Sequence, residues 1–202
     1  MQRIKQTVKL IKQQEYKDIL HHIENCGRTC YQSEPKGDPE SFIRKLITME
    51  HDSVLEHVSI TFDIVTNRNI THELVRHRLS SYSQESTRYI RYGNVKYIAP
   101  PCIYDDELER NEEQYLELID MGVPPQDARD ILFGCVATNI KVTMNLRQLR
   151  TFLKTRLRTG NHPMMMKLAY DMLRETNHHY PIFVEDLWGL YHDMWSRDDE
   201  EI

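Results

Sequence analysis

The sequence predicts an α+β protein whose strands are separated by helices. Three observations carry this prediction. Residues 55–66 alternate between apolar and polar side chains, which is typical of a strand with one buried face. Residues 135–144 are rich in β-branched side chains, which favour strands. Between and after these segments, apolar residues recur every three or four positions, as they do along one face of a helix.

The N-terminal quarter is predicted to hold one strand and two helices. The strand covers 6–13, and the first helix runs over 16–26 with Gly27 as its stop. Asp38 and Pro39 predict the start of the second helix, because a side-chain oxygen followed by a proline is typical of a helix N-terminus. The apolar face of this second helix is predicted to hold Phe42, Leu46, Ile47 and Met49.

The rest of the chain is predicted to alternate in the same way. A glycine is expected to end one helix, and prolines are expected to begin two others. The predicted elements are the strand over 55–66, a helix over 67–77, strand character at 97–99, an acidic helix over 107–121 ended by Gly122, a helix from Pro124, the extended segment 135–144, a helix from Asn145 to about Arg158, and a last long helix from Pro163 to about His179.

Length and composition are those of a globular protein. The 202 residues predict one domain over 1–202, or two tightly fused lobes, with a tail frayed from about 197. No apolar run is long enough to cross a bilayer and no signal peptide is evident, so we expect a cytoplasmic protein that binds no membrane. The formal net charge of -5 argues against bulk binding of nucleic acid. Four cysteines without disulfide or zinc spacing are interpreted as reduced thiols.

The stretch from Arg76 to Tyr89 concentrates positive charge and hydroxyl groups. It contains three arginines, one histidine, four serines and two tyrosines, but only one carboxylate, that of Glu85. In a chain that is net acidic, such a concentration favours an anion with several oxygens as its ligand. The alternative is a solvated loop after an amphipathic helix.

The approach to this stretch resembles a zinc-protease helix, but the spacing rejects that interpretation. His72 and His77 are five residues apart and would diverge by about 140° around a helix. In a continuous helix, Glu73 could instead meet His77, and His72 could meet Arg76, each four residues on. These pairs are equally typical of a solvated helix face.

The predicted helix after Asn145 carries an arginine in an unexpected position. A helical projection places Arg156 inside the apolar stripe, about 20° from Leu149. A guanidinium there requires a salt bridge or an anionic ligand. Asn145 could cap the helix or contact a ligand. The stripe is Leu146, Leu149, Leu153 and Leu157, and the residues predicted on the other side are Arg147, Arg150, Lys154 and Arg158.

Two further segments are polar but ambiguous. Residues 122–129, which end in Arg129, suit an ordinary helix corner. Residues 51–57, with Ser53 between two histidines, could form the lip of a site or a plain loop. The chain has only seven glycines and no Gly-rich nucleotide loop, so side chains would have to hold any dinucleotide.

Four ordered segments resemble flavin-dependent thymidylate synthases. The first is Arg76-His77-Arg78, followed after seven residues by Ser86 and then Thr87-Arg88-Tyr89, which looks like the signature of that family. The others are residues 51–57, residues 118–124 with Ala128-Arg129, and residues 143–147 with Phe152 and Arg156. Their common order makes the resemblance far more specific than the signature alone.

The resemblance implies a reaction and a fold. dUMP, 5,10-methylenetetrahydrofolate and NADPH would give dTMP and tetrahydrofolate, with FAD relaying the hydride and no metal. The family fold is α+β, with a central mostly antiparallel sheet flanked by helices. The family assembles as a homotetramer whose active sites are built from several subunits.

The resemblance also implies roles for individual residues. Arg156 would be catalytic, favouring ionisation of the uracil N3. Thr151 occupies a position where an asparagine often contacts the flavin, and Glu73 a position where a glutamine near the nucleotide is common. The implied flavin contacts are Ser53, Arg76, His77, Arg78, Gln84, Asn145, Arg147 and Thr151. The implied dUMP contacts are Glu73, Arg76, Gln84, Ser86, Thr87, Arg88, Arg129 and Arg156.

Three other functions remain open from the residues. A metal-dependent nucleotide phosphohydrolase would use some of the ten histidines. A thymidylate synthase with a cysteine nucleophile would use Cys102, which follows two prolines. A single-stranded nucleic-acid module would stack bases on Tyr89 and Tyr92 beside Arg88 and Arg91.

Overall fold

The computed structural model describes residues 1–30, 32–35 and 37–195. The tail predicted to be frayed from about 197 lies outside these described residues. The strands are β1 Gln2–Arg3, β2 Thr7–Ile11, β3 Ser59–Asn67, β4 Ser80–Gln84, β5 Lys96–Tyr97 and β6 Ala137–Asn145. The helices are α1 Tyr16–Thr29, α2 Pro39–Thr48, α3 Arg68–Leu74, α4 Asp105–Asp120, α5 Pro125–Ala128, α6 Leu146–Arg156, α7 Pro163–His179 and α8 Glu185–Trp195. Short 3₁₀ turns cover Asp52–His57, Arg129–Ile131 and Pro181–Phe183.

The predicted α+β class and its mostly antiparallel sheet are confirmed. Four strands form one sheet in the order β2-β3-β6-β4. β1 and β5 form a separate parallel pair, in which Gln2 lies opposite Lys96. The strand predicted over 55–66 begins at Ser59 instead, because residues 52–57 form a 3₁₀ turn.

The chain divides into two compact units. The first comprises Met1–Thr7, Ile64–Arg76 and Tyr82–Lys141, and the second comprises Val8–Asp63, His77–Ser81 and the chain from Val142 onward. A single domain over 1–202 therefore stays a prediction.

The core of the first unit contains two buried tyrosines, Tyr97 of β5 and Tyr115 of α4. Tyr97 donates from its hydroxyl to the Asn111 side chain at 3.0 Å, and Asn111 in turn donates to the Ile131 carbonyl at 2.8 Å. The buried carboxylate of Glu112 accepts from the Val95 amide at 2.6 Å. Its core residues are Val95, Tyr97, Leu108, Tyr115, Ile119, Ala128, Cys135 and Val136.

In the second unit, α1 and α2 approach each other closely at Gly27. A side-chain carbon added to Gly27 would lie 3.0 Å from atoms of both Leu46 and Phe42. The prediction that Gly27 ends α1 is wrong, because the helix continues to Thr29. Glycine is required at position 27 because α2 packs too closely against α1 there for a larger side chain. The predicted cap of α2 is confirmed: Asp38 accepts from the amides of Glu40 and Ser41. The predicted apolar face of α2 is wrong at Met49, which is exposed, while Ile43 is fully buried.

The buried arginine of α6 is Arg150. This side chain is only 4% exposed, so its predicted place on the solvent side is wrong. Arg150 donates from Nη1 and Nη2 to the two carboxylate oxygens of Asp186, both at 2.7 Å, and from Nη1 to the Phe183 carbonyl at 2.7 Å. These acceptors belong to α8 and the turn before it. The sequence analysis did not predict α8, and it therefore missed the contact that makes burial of Arg150 tolerable.

The Arg150–Asp186 pair predicts how stability responds to mutation and acid. Burial of the Asp186 carboxylate acts to raise its pKa, but the hydrogen bonds and charge of Arg150 outweigh burial and hold the pKa below its ordinary value of 3.8. Because the pKa in the folded protein is depressed, this stabilisation is present above pH 3.8 and is lost as the pH falls through the folded-state pKa. Asp186→Ala should lower the free energy of unfolding at neutral pH by about 1–2 kcal/mol, since Asp186 itself is half-exposed.

Denaturant unfolding of Asp186→Ala and of the wild type across pH checks this. The difference in free energy of unfolding between the wild type and Asp186→Ala should shrink below pH 3.8. Glu113→Ala, at an exposed position of α4, is the matched control and should change stability by less than about 0.5 kcal/mol. Equal denaturant midpoints for Asp186→Ala and Glu113→Ala at neutral pH would contradict the stabilising role of Asp186.

Candidate active site

Two helices that carry predicted site residues begin directly at strand ends, each with an asparagine cap. Asn67, the last residue of β3, accepts from the Ile70 amide at 3.0 Å, so that α3 starts at the next residue. Asn145, the last residue of β6, accepts from the Gln148 amide at 2.8 Å and begins α6. An asparagine cap satisfies one of the amides that the first helical turn leaves unpaired. The predicted helix start at Asn145 is thereby confirmed.

The cationic stretch is partly a strand rather than a loop. α3 ends at Leu74, so the helix predicted over 67–77 is shorter than expected and does not extend to Arg76 or His77. Ser80–Gln84 then form β4, with side chains that alternate between half-buried and exposed. Five consecutive polar residues hide this strand from hydropathy, although their alternation in burial is that of a strand.

The predicted site residues divide between the two units. Those in the first unit are Glu73, Arg76, Gln84, Ser86, Thr87, Arg88 and Arg129, and those in the second are Ser53, His77, Arg78, Asn145, Arg147, Thr151 and Arg156.

In the first unit, a hydrogen-bond chain fixes the orientation of Gln84. Thr71 donates its only hydroxyl hydrogen to the Arg68 carbonyl at 2.9 Å. Thr71 must therefore accept from the Gln84 amide nitrogen, which lies 3.1 Å away. The same nitrogen lies 3.4 Å from the Thr138 hydroxyl. With its amino group held in this way, Gln84 can offer its carbonyl oxygen to a ligand as a hydrogen-bond acceptor.

Glu85, the only carboxylate of the stretch, anchors the turn that follows β4. Its amide donates to the Asn139 carbonyl at 3.0 Å, and its side chain accepts from the Asn139 amide at 3.2 Å. Arg68 donates to the Glu85 carbonyl at 2.9 Å. Burial, followed by the charge of Glu85, raises the pKa of Tyr92, whose hydroxyl lies 3.5 Å from the Glu85 carboxylate. The sequence analysis missed this supporting role of Glu85 and Arg68.

The turn after Glu85 meets Arg129. Thr87 is only 5% exposed, and its hydroxyl accepts from Nη1 of Arg129 at 2.9 Å. The Ser86 hydroxyl accepts from the Arg88 amide at 3.3 Å. The Arg88 side chain is exposed and lies over the ring of Tyr89. One guanidinium and one hydroxyl, 42 residues apart in sequence, are thus brought together, and both groups can donate to an oxyanion.

Glu73 and Arg76 precede the turn that contains Ser86, Thr87 and Arg88. Glu73 is half-buried on the last turn of α3, and Arg76 is exposed just after that helix.

In the second unit, Ser53 and Arg147 line one cavity of about 280 Å³. Its wall also includes Gly27 of α1, Cys30 just after α1, Leu46 of α2 and residues 50–54. The Arg147 guanidinium pairs with the Glu56 carboxylate. A larger cavity of about 530 Å³, between Lys12 and His57, contains none of the predicted site residues.

Hydrogen bonds within α6 determine whether Asn145 and Thr151 can donate to a ligand or accept from one. Asn145 uses its carbonyl oxygen for the cap, which leaves its amino group as the end able to donate to a ligand. Thr151 donates its hydroxyl hydrogen to the Arg147 carbonyl at 3.1 Å, so it can only accept from a ligand. Arg78 is exposed.

Arg156, the last residue of α6, is half-buried rather than enclosed in the apolar stripe. Its Nε donates to Nε2 of His77 at 3.0 Å, and its Nη1 donates to the Asn161 side chain at 3.3 Å. The His77 ring packs edge-on against Phe152, with ring centroids 4.8 Å apart. Sequence analysis missed the contact of Asn161 with Arg156.

Metal and membrane features are not found in the described part of the chain. Within residues 1–30, 32–35 and 37–195, no group of three or more histidine, cysteine or acidic side chains could hold a metal ion. No helix there is both long and apolar enough to cross a membrane. All four cysteines are free, and Cys102 is exposed.

Comparison with known proteins identifies the family. A family model described as "Thymidylate synthase complementing protein" matches residues 9–182. The flavin-dependent thymidylate synthase of Geobacter sulfurreducens is 36% identical over 149 residues, which is 68% of this chain and 64% of the relative. That of Mycolicibacterium gilvum is 36% identical over 182 residues, which is 75% of this chain and 73% of the relative.

A solved structure has the same fold. The UMP/dUMP methylase PolB from Streptomyces cacaoi, crystallised with 5-Br dUMP, superimposes with a TM-score of 0.77. The match covers 92% of this chain and 96% of that one, at 21% sequence identity. The family match over most of the chain confirms the resemblance predicted from the four segments, and the chain belongs to the flavin-dependent thymidylate synthase family.

Proposed function

We propose that the protein converts dUMP to dTMP, with 5,10-methylenetetrahydrofolate as the carbon donor and NADPH as the reductant. The match to the family over residues 9–182 carries this proposal. FAD, when bound, relays the hydride, and the chain binds and orients the reactants. The alternative of a metal-dependent phosphohydrolase would need a cluster of metal ligands, and the described residues offer none of three or more.

The first unit binds the nucleotide. Arg88 and Arg129 supply the charge that holds the dUMP phosphate, and the hydroxyls of Ser86 and Thr87 complete its hydrogen bonds. The Thr87–Arg129 contact supports this role, because it holds one guanidinium beside the phosphate turn. The solved structure with this fold contains a dUMP analogue, which also fits.

Gln84, Glu73 and Arg76 contact the rest of the nucleotide. Gln84 lies two residues before Ser86 along an extended segment, or about 7 Å, which is the reach from a phosphate across one sugar. The carbonyl oxygen of Gln84 accepts a hydrogen bond from the ligand. The contact of the Gln84 amino group with Thr71 supports this role, because it fixes which end of the amide can accept. Glu73 adds a second acceptor at this end, and Arg76 reaches both the nucleotide and the flavin.

The second unit holds FAD. The residues present fit a dinucleotide: Ser53, Asn145 and Arg147 supply hydroxyl, amide and guanidinium donors of the kind a pyrophosphate binds. Two of these three line the 280 Å³ cavity, which has room for part of such a ligand. Thr151 and Gln84 accept from the flavin, and His77 and Arg78 also contact it.

Arg156 is the catalytic residue. C5 of uracil is a poor nucleophile, and negative charge on the ring raises its reactivity. A guanidinium fixed near N3 and its neighbouring oxygens stabilises that charge without having to reorganise. The half-buried position of Arg156 and its two side-chain contacts support this preorganised role.

The protein acts as a cytoplasmic homotetramer whose active sites combine residues of more than one subunit. In such an assembly a second copy could cover Leu79, which lies within the signature stretch and is 75% exposed in the single chain.

Flavin content and product formation test the proposed function together. The purified protein should be yellow, with about one flavin per chain, and should form dTMP from dUMP only when both NADPH and 5,10-methylenetetrahydrofolate are present. Cys102→Ala should keep this activity, because the cysteine is not the nucleophile. Colourless protein that takes up metal would favour the phosphohydrolase, and complete loss of activity in folded Cys102→Ala would favour the cysteine-dependent synthase.

Substitution of Arg156 tests the catalytic assignment. Arg156→Ala should retain flavin but lose dTMP formation by about 100-fold or more, the size of effect expected when one oriented charge-stabilising donor is removed. Arg158→Ala, which removes an exposed arginine two residues later, is the matched control and should keep wild-type turnover. Turnover of Arg156→Ala equal to that of the control would make Arg156 a structural residue only.

A further inference from the structure

The hydrogen bond between Arg156 and His77 fixes the protonation state of the histidine. An arginine side chain has five N–H donors and no acceptor. Nε2 of His77, which lies 3.0 Å from Nε of Arg156, must therefore be the acceptor and can carry no hydrogen. His77 is consequently neutral, with its ring hydrogen on Nδ1.

The surroundings hold both partners in this arrangement. Phe152, which is fully buried one turn before Arg156 on α6, packs edge-on against the imidazole. Asn161 donates from its amino group to the carbonyls of Thr155 at 3.0 Å and Arg158 at 2.9 Å. These two bonds turn the Asn161 carbonyl oxygen toward Nη1 of Arg156. The imidazole of His77 and the amide of Asn161 thus each accept from one nitrogen of the guanidinium.

We propose that His77 is a positioning residue for Arg156 in the reaction proposed above. A neutral imidazole orients the guanidinium without cancelling its charge, whereas a carboxylate in its place would compete with the anion that the arginine is to stabilise. Protonation of His77 would abolish the acceptor and set two positive charges against each other. The family signature thus contains, between two arginines, a histidine whose Nε2 serves a third arginine 79 residues away.

The tautomer is tested on the free protein, without any substrate. ¹⁵N NMR of the ring nitrogens at neutral pH should show His77 as the neutral form with hydrogen on Nδ1. A hydrogen on Nε2, or a charged ring, would overturn the proposal. This measurement does not depend on the reaction, so it separates failure of this inference from failure of the proposed function, which would appear as a wild type that forms no dTMP.

Two variants of His77 test the positioning role in the FAD-loaded enzyme. His77→Leu keeps apolar bulk against Phe152 but removes the acceptor, and should lower kcat per bound flavin by about 10- to 100-fold, as displacement of a catalytic group does. His77→Gln, whose amide oxygen can take the place of Nε2, should recover at least ten-fold over the leucine variant. His21→Leu, at an exposed position of α1, is the matched control and should not change kcat.

A double-mutant cycle gives the decisive comparison. If His77 acts through Arg156, adding His77→Leu to Arg156→Ala should lower the remaining activity by less than about two-fold, because coupled residues are not additive. Equal losses from His77→Leu in both backgrounds, or failure of His77→Gln to recover activity, would overturn the proposal.

Discussion

The candidate site depends above all on the asparagine cap at the start of α6. The Asn145 cap begins the helix directly at the last residue of β6. Each residue of a helix turns by about 100°, so a start one residue later would rotate every following side chain by that angle. The cap therefore helps to set which α6 residues enter the core, as Leu149 and Phe152 do, and which point outward. Asn67 begins α3 in the same way in the first unit.

Two arginines of α6, Arg150 and Arg156, have different kinds of hydrogen-bond partner. Arg150 lies on the core side of the helix and meets the Asp186 carboxylate at both terminal nitrogens, which makes burial of its charge tolerable and fastens α6 to α8. Arg156 lies at the end of the same helix and meets the imidazole of His77. A carboxylate partner neutralises the charge of a guanidinium, while a neutral imidazole acceptor orients the guanidinium without itself cancelling that charge.

Much of the fold follows from local sequence rules, and the exceptions have physical causes. Alternation predicted the buried face of β3, and caps and prolines predicted the starts of α2, α6 and α7, because these signals act within a few residues. β4 was missed because serine and glutamine occupy four of its five positions, so hydropathy gives no strand signal. The predicted helix stop at Gly27 was wrong because this glycine is required by close packing against α2, a contact that local sequence does not show. Arg150 was misplaced because the helix that covers it was not predicted.

The site was predictable only in part for the same reason. The ordered motifs identified the family and named the residues, but spacing cannot show that Thr87 meets Arg129 or that His77 meets Arg156. Nor can it show that Glu85, within the cationic stretch, serves the backbone of its own turn. These contacts join segments that only tertiary structure brings together.

We propose that Asn145 stabilises the start of α6 with its carbonyl oxygen and binds the flavin with its amino group. The FAD dissociation constant of Asn145→Asp tests it most directly, since aspartate keeps an oxygen for the cap and loses the amino group. The account predicts a folded protein whose FAD affinity is about ten-fold weaker or more, as expected for the loss of one ligand hydrogen bond of about 1.4 kcal/mol. An unchanged dissociation constant would contradict it.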